Sequence, residues 1–323
     1  MKILIVGGAG YIGSHMLTVL NNSANEIVTL DNLMHGHRDA VLFGDFIEAD
    51  LKDKDALDGV LSNGKFDAVM HFASLISVEE SSYNPSEHYE NNVVNTLNLL
   101  NSMVKNNVKY IIFSSSAAIF GNPDYTPIDE NHSTIPVNPY GQTKLIVENI
   151  LANYDQAYGL KSVCLRYFNV AGAHPEGLLG ERHITETHLI PLVLQVASGR
   201  RESISIFGRD YDTNDGTCIR DYIHVMDLCD AHLLALNHLV LTNVSSIYNL
   251  GNDKGFSVQD VIKSVSHITG KRINVIDKSR RAGDVAILIA SSSKAKKILG
   301  WAPRFNNLNI IIEHAWAWEK KIH

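Results

Sequence analysis

A buried strand that runs into spaced glycines and then into a helix leaves a chain few folds to adopt. The N-terminal stretch KILIVGGAGYIGSHMLTVL has this form. Residues 2–7 are apolar, β-branched and closed by glycine, as in a parallel strand covered on both faces. Helical apolar spacing follows over 11–22. Glycines fall between them at 7, 10 and 13. Gly7 permits a tight turn, Gly10 lets a pyrophosphate come close to backbone, and Gly13 lets helix and strand pack closely. Tyr11 and Ile12 open the helix, whose free N–H groups and positive dipole end suit phosphate.

The alternation continues. Further strands are expected over 26–31, 44–51, 66–73, 108–116 and 161–170. Helices are expected over 53–63, 87–107 and 138–159, the last opened by Asn138 and Pro139. The fold class is therefore α/β, a Rossmann-type doubly wound parallel sheet over residues 1–170. Beyond 170 the alternation weakens, and long insertions occupy 172–191 and 208–218. Residues 171–323 read mainly as a smaller C-terminal α/β substrate-binding lobe, with some segments returning to the first domain.

Asp31 ends the second strand 18 residues after Gly13, where a carboxylate binds the adenosine ribose hydroxyls of a dinucleotide. It would repel a 2′-phosphate, which favours NAD over NADP, although His37 and Arg38 stand nearby. Asn32, Asp50, Leu51, Phe72, Ala73, Ser74 and Asn91 belong to strand ends, their loops or the long helix that border such a crevice.

Ser114, Ser115 and Ser116 run off the end of the fifth strand into the same crevice. Tyr140 and Lys144 lie one helical turn apart. A phenol with an ordinary pKa near ~10 is a poor base at neutral pH, but a neighbouring ammonium and a cationic nicotinamide both favour the phenolate. Ser116, Tyr140 and Lys144 beside NAD are the equipment for oxidising a secondary alcohol.

Bulk properties narrow the class. A net charge of −7 argues against nucleic-acid or anionic-membrane partners. No apolar run approaches a signal-peptide core or a membrane span, and three cysteines without metal-type spacing suggest reduced thiols in the cytoplasm. The 15 histidines are scattered, and His35 and His37 have no further ligands at zinc-like spacing, so no metal is expected.

Several stretches resemble the NAD-dependent epimerase/dehydratase family of extended short-chain dehydrogenases/reductases, and within it the UDP-glucose 4-epimerases. They are GGAGYIGSH (7–15), DNL (31–33), FSSSAAIFG (113–121), PYGQTK (139–144), LRYFNVAGAHPEG (165–177), IFGRDYDTNDGTCIRDYIHVMDL (206–228), RRAGD (280–284) and LGW (299–301). The resemblance implies reversible C4 epimerisation of UDP-glucose and UDP-galactose through a 4-keto sugar, a place in galactose metabolism, and a homodimer paired through helices of the first domain. Tyr140 would exchange the C4 proton, with Ser116 bonded to that oxygen. Phe168 and Asn169 would lie near the sugar and diphosphate, His188 and Leu189 at the uridine, Arg220 and Arg281 at the diphosphate, and Asp284 at a ribose. Trp316 and Trp318 read as packing.

Two positions depart from the family. Ile76 replaces a lysine common among relatives, and Leu288, intermediate in size, stands at the gate beside the sugar 2-substituent. Epimerisation of UDP-GlcNAc/UDP-GalNAc or of UDP-xylose/UDP-arabinose therefore stays admissible, as does UDP-glucuronate decarboxylation. Ala117 and Ala118 stand where relatives that eliminate water carry an acid/base pair, which argues against a 4,6-dehydratase. A non-catalytic NAD-binding regulator would not need Ser116, Tyr140 and Lys144 together.

Overall fold

The computed structural model describes residues 1–281 and 284–322. Seven parallel strands form its main sheet, in the spatial order Ser246–Leu250, Lys161–Tyr167, Tyr110–Ser116, Ala68–His71, Lys2–Val6, Glu26–Asp31 and Asp45–Glu48. Side chains alternate across it, and both faces are covered. Ile3 and Ile5 face Met16, Leu17, Leu20 and the apolar side of the Val225–Thr242 helix. Leu4 and Val6 face Leu57, Leu61, Leu99, Leu100, Met103, Val147 and Leu151. All four of these strand residues are fully buried.

Helix ends follow local chemistry. Gly141 N donates to the Asn138 side chain at 2.8 Å, Pro139 supplies the first turn, and Gly159 closes the helix in the left-handed region. The helix expected over 87–107 is divided into Pro85–Tyr89, a widened π turn at Glu90–Val94, and Asn95–Lys105. The buried Asn92 explains the widening: its amide accepts from Leu75 N at 2.8 Å and donates to Leu75 O and Thr143 Oγ1. Such bulges often serve a site, and here the turn sets Asn91 on the crevice. A short helix, Val78–Tyr83, was not anticipated.

The strand expected over 161–170 breaks at Phe168. Lys161–Tyr167 stays in the main sheet, and Asn169–Ala171 pairs with Ile219–His224 in a second sheet that also holds Gly255–Ser257 and Ile287–Leu288. Phe168 and Asn169 thus lie at the junction of the two sheets. Helices Leu189–Ala197, Val258–Thr269 and Leu308–Ile322 bury their apolar sides in a separate cluster behind this second layer.

The seventh strand of the main sheet and the Val225–Thr242 helix both come from beyond residue 170. That helix is long and apolar enough to cross a membrane by length and composition, contrary to the sequence expectation. Its apolar side is instead buried against the sheet and the Tyr11–Asn21 helix, with Leu228, Cys229, Ala231, Ala235, Leu236 and Leu239 excluded from solvent. Cys164, Cys218 and Cys229 are free and buried.

Candidate active site

The carboxyl ends of the main strands open into a cavity of about 1710 Å³. Every cofactor residue expected from the sequence lines it: Gly7, Gly10, Tyr11, Ile12, Gly13, Asp31, Asn32, Asp50, Leu51, Phe72, Ala73, Ser74, Asn91, Ser114, Tyr140, Lys144 and Phe168.

The three glycines differ in what holds them. Gly7 has φ +83°, and a Cβ there would lie 2.4 Å from Ala73 N. At Gly13 a Cβ would lie 2.3 Å from Gly7 O, so close packing of turn and helix requires glycine. At Gly10 the nearest protein atom would be 3.5 Å away, and φ is an ordinary −81°. Nothing in the protein excludes a side chain at Gly10; the space above it belongs to the cavity. No side chain caps the helix start, which leaves its N–H groups for a phosphate.

Asp31 is 8% exposed. Its carboxylate accepts from Ala9 N at 2.9 Å and Leu33 N at 2.8 Å. Burial pushes its pKa up, against the pull of those bonds. His37 Nε2 lies 2.7 Å from Arg182 O, and the Arg38 guanidinium stacks 4.4 Å from the Phe46 ring centroid. The two groups that could have held a 2′-phosphate are therefore engaged elsewhere. Ser114 Oγ and Asn95 Oδ1 are buried without a partner, and both residues line the cavity. This arrangement fits NAD.

Tyr140, Lys144 and Glu148 occupy successive turns of one helix face, directed at the sheet. Lys144 Nζ is buried and donates to Ser114 O at 2.9 Å, 5.7 Å from the Tyr140 ring centroid. Burial lowers its pKa to about 7. The Ser116 hydroxyl accepts from Ala118 N at 3.1 Å and stands near the Tyr140 phenol. In the protein alone burial raises the phenol pKa, and the nearby Ser116 hydroxyl works against the rise. Behind this pair, the Glu148 carboxylate accepts from Ser115 Oγ at 2.5 Å and from Arg166 Nη2 at 2.7 Å, wholly inside the protein.

At the far end of the cavity, Asp284 lies between two arginines. Arg281 Nε donates to Asp284 Oδ2 at 3.0 Å, and Arg220 Nη2 is 3.9 Å from Oδ1. Arg220 Nη1 is held by Ile219 O and Val285 O. The RRAGD stretch lies partly outside the described residues, at Ala282 and Gly283. Asn169, His188, Leu288 and the exposed Ile76 also line the cavity. Leu189 does not: as the first residue of the Leu189–Ala197 helix it packs against the apolar cluster behind the second layer. Trp316 packs in that cluster, whereas Trp318 lines the cavity, covers Gly180 and donates from Nε1 to Glu181 O at 3.1 Å.

The sequence reading passed over one group. Glu181, His183, Glu186 and His188 bring four ligand-type atoms within 4.8 Å of one another. Burial works against charged imidazoles here, but the facing carboxylates outweigh it, so both histidines are pushed up in pKa. The regular run E-x-H-x-x-E-x-H was the available signal, hidden inside what read as an insertion.

A sequence profile for the NAD dependent epimerase/dehydratase family matches residues 3–251. The chain is 51% identical over 321 residues to a UDP-glucose 4-epimerase of Halalkalibacterium halodurans, covering 99% of this chain and 96% of that protein. It is similar to the crystal structure of UDP-glucose 4-epimerase from Bifidobacterium longum in complex with NAD+ and UDP, with a TM-score of 0.94 and 38% identity over 99% of this chain and 98% of that one. It is also similar to the UDP-Glc/GlcNAc 4-epimerase of Campylobacter jejuni, with a TM-score of 0.87 and 42% identity over 99% of both chains.

Proposed function

The chain belongs to the NAD-dependent epimerase/dehydratase family, and on that premise we propose that it interconverts UDP-glucose and UDP-galactose by inverting C4. The observation that carries this reading is the convergence of Tyr140, Ser116 and Lys144 on a cavity that continues from the glycine turn to the Arg220–Asp284–Arg281 group.

Tyr140 takes the proton of the C4 hydroxyl and later returns it. Ser116 donates to the same oxygen and holds it at the phenol. Lys144 stands below both, and its charge resists protonation of the phenolate. Bound NAD supplies a reversible hydride acceptor for C4, so the cycle needs no external reductant. Gly7, Gly10, Gly13 and the open helix end would hold its pyrophosphate, and Asp31 its adenosine ribose. Arg220 and Arg281 hold the UDP diphosphate, to which a planar guanidinium is matched. Asp284 keeps both arginines oriented and takes a ribose hydroxyl. Phe168 and Asn169 border the sugar, and His188 borders the uridine. The sugar then turns about its link to UDP and offers its other face to the same three residues. The enzyme works in the cytoplasm, in galactose metabolism, as a homodimer paired through helices of the first layer, as its family resemblance suggests.

Leu288 packs beside Phe120 and Phe168 and sets the room beside the sugar 2-substituent. Chromatography of products from a panel of UDP-sugars, with no NAD added, tests the substrate. UDP-galactose and UDP-glucose should interconvert fastest; faster turnover of UDP-N-acetylgalactosamine would overturn the assignment.

Gly10 offers a separate test of the cofactor site. Gly10→Val should move the thermal midpoint by less than about 4 °C, since its Cβ meets no protein atom in the way. NAD retained through purification should fall at least about tenfold, the effect of a loss of about 1.4 kcal/mol in affinity. Unchanged NAD content would show that the pyrophosphate lies elsewhere.

A further inference from the structure

The segment 178–188 has no helix and no named strand, yet it forms one wall of the cavity through Glu181, Arg182, His183, Thr185, Thr187 and His188. Such a loop needs something to fix it. Four of its side chains converge on one point. Glu181 Oε1 is 2.7 Å from His188 Nδ1 and 3.3 Å from His183 Nδ1. Glu186 Oε1 is 3.3 Å from His188 Nδ1, and Glu186 Oε2 is 3.4 Å from His183 Nδ1.

These spacings carry information. Ligands held tetrahedrally at about 2.0–2.1 Å from a zinc ion lie about 3.4 Å from one another. The two separations from His183 Nδ1, to Glu181 Oε1 and Glu186 Oε2, have that value, and Glu186 meets His188 through its other oxygen. The separation between Glu181 and His188 is short, yet Glu181 Oε1 and His188 Nδ1 are both buried and neither makes a hydrogen bond. The oxygen lies off the direction in which an Nδ1–H would point. The Glu181 side chain is 6% exposed, so water has little access to its unpartnered oxygen, although the His188 ring is 41% exposed on its other side.

The surroundings orient the ligands. Glu186 Oε1 accepts from Thr187 N and His188 N, both at 2.8 Å. Glu181 O accepts from Trp318. Support of this kind behind the ligating atoms is usual for metal sites.

We propose that Glu181, His183, Glu186 and His188 bind one divalent transition-metal ion of the zinc class, which pins the 178–188 loop as a wall of the cavity. Two imidazoles and two carboxylates suit such an ion, and four protein ligands close its shell, so its role is structural. The loop it fixes also reaches the dinucleotide side. Arg182 Nη1 donates to Asp39 Oδ2 at 3.1 Å, and His37 Nε2 meets Arg182 O. The ion therefore links the wall of the sugar end to the segment beside Asp31.

The test uses untagged full-length protein. Metal analysis of the purified wild type should find about one ion per chain, falling to less than about 0.2 in His183→Ala and in Glu186→Gln. Metal-stripped wild type should take Zn²⁺ from a chromophoric chelator, and Co²⁺ should give the intense visible bands of a tetrahedral site. The Co²⁺ spectrum needs only wild-type protein, so a variant that fails to fold does not blunt the test. If wild type takes up neither Zn²⁺ nor Co²⁺, the four residues are paired ions only and the proposal fails. It fails equally if a folded His183→Ala binds Zn²⁺ as wild type does.

Discussion

Tyr140→Phe is expected to lower kcat by about 10²–10⁴-fold, the usual worth of a placed acid/base group. The ring stays and one oxygen goes, so shape and packing are conserved. Ser116, which stands near the phenol, keeps its contact with Ala118 N. Fold, and NAD released on denaturation, should match wild type; a wild-type rate in this variant would remove Tyr140 from the chemistry. The pH profile adds a second reading. In the proposed reaction the form that accepts the C4 proton is the phenolate, so activity should fall as pH drops through the phenol pKa of the complex. Burial holds that pKa up in the protein alone, and the positive charges beside it must bring it down. Lys144→Met removes one of them, so the acid limb should move to higher pH. An unmoved limb would refute the charge argument for Lys144.

Glu148→Ala should cost about 3–5 kcal/mol of stability, the penalty for breaking a buried ion pair from one side. The guanidinium of Arg166, 5% exposed, would be left without its carboxylate, and Ser115 Oγ without its acceptor. Ser115 and Arg166 are direct neighbours on adjacent strands, and Glu148 reaches both from the helix that bears Tyr140 and Lys144. The pair therefore anchors the helix that bears Tyr140 and Lys144 to the sheet. Urea unfolding measures the loss, and Glu148→Leu combined with Arg166→Met should recover much of it. A single-variant loss below about 1 kcal/mol would mean that the pair is solvated rather than buried.

The first layer was legible because its rules are local. Strand and helix periods differ, the glycines mark the first turn, and Asn138-Pro139 marks a helix start. The crevice follows from strand ends, and so the residues expected at a cofactor, two of the three serines and Tyr140 line one cavity. What escaped depended on distant partners. The π turn exists because Asn92 bonds to Leu75 and Thr143, neither of them near it in sequence. The break at Phe168 reflects competition between two sheets for one strand. Leu189 looked like a site residue from its motif, but its place at a helix start turns it to the core. The upward push on the phenol pKa in the protein alone comes from burial, which is invisible in sequence. The E-x-H-x-x-E-x-H run lies in plain sight in the sequence, inside what reads as an insertion.

The seventh strand, Ser246–Leu250, has a consequence for how the protein is made. Until it arrives, Lys161–Tyr167 is an open sheet edge, and the face later covered by Val225–Thr242 is bare. A ribosome that has delivered the first 170 residues has delivered the glycine turn, the serines and the catalytic helix, but not a sheet that can close. Folding of the first layer must wait some 80 residues more, several seconds of synthesis at about 5–20 residues per second. A nascent chain stalled in that interval would carry an unpaired strand and an exposed apolar face, a natural substrate for holding chaperones. Cutting the gene at the end of the sixth strand should yield aggregate, and solubility should return only when the chain extends through the Leu308–Ile322 helix, which completes the apolar cluster behind the second layer.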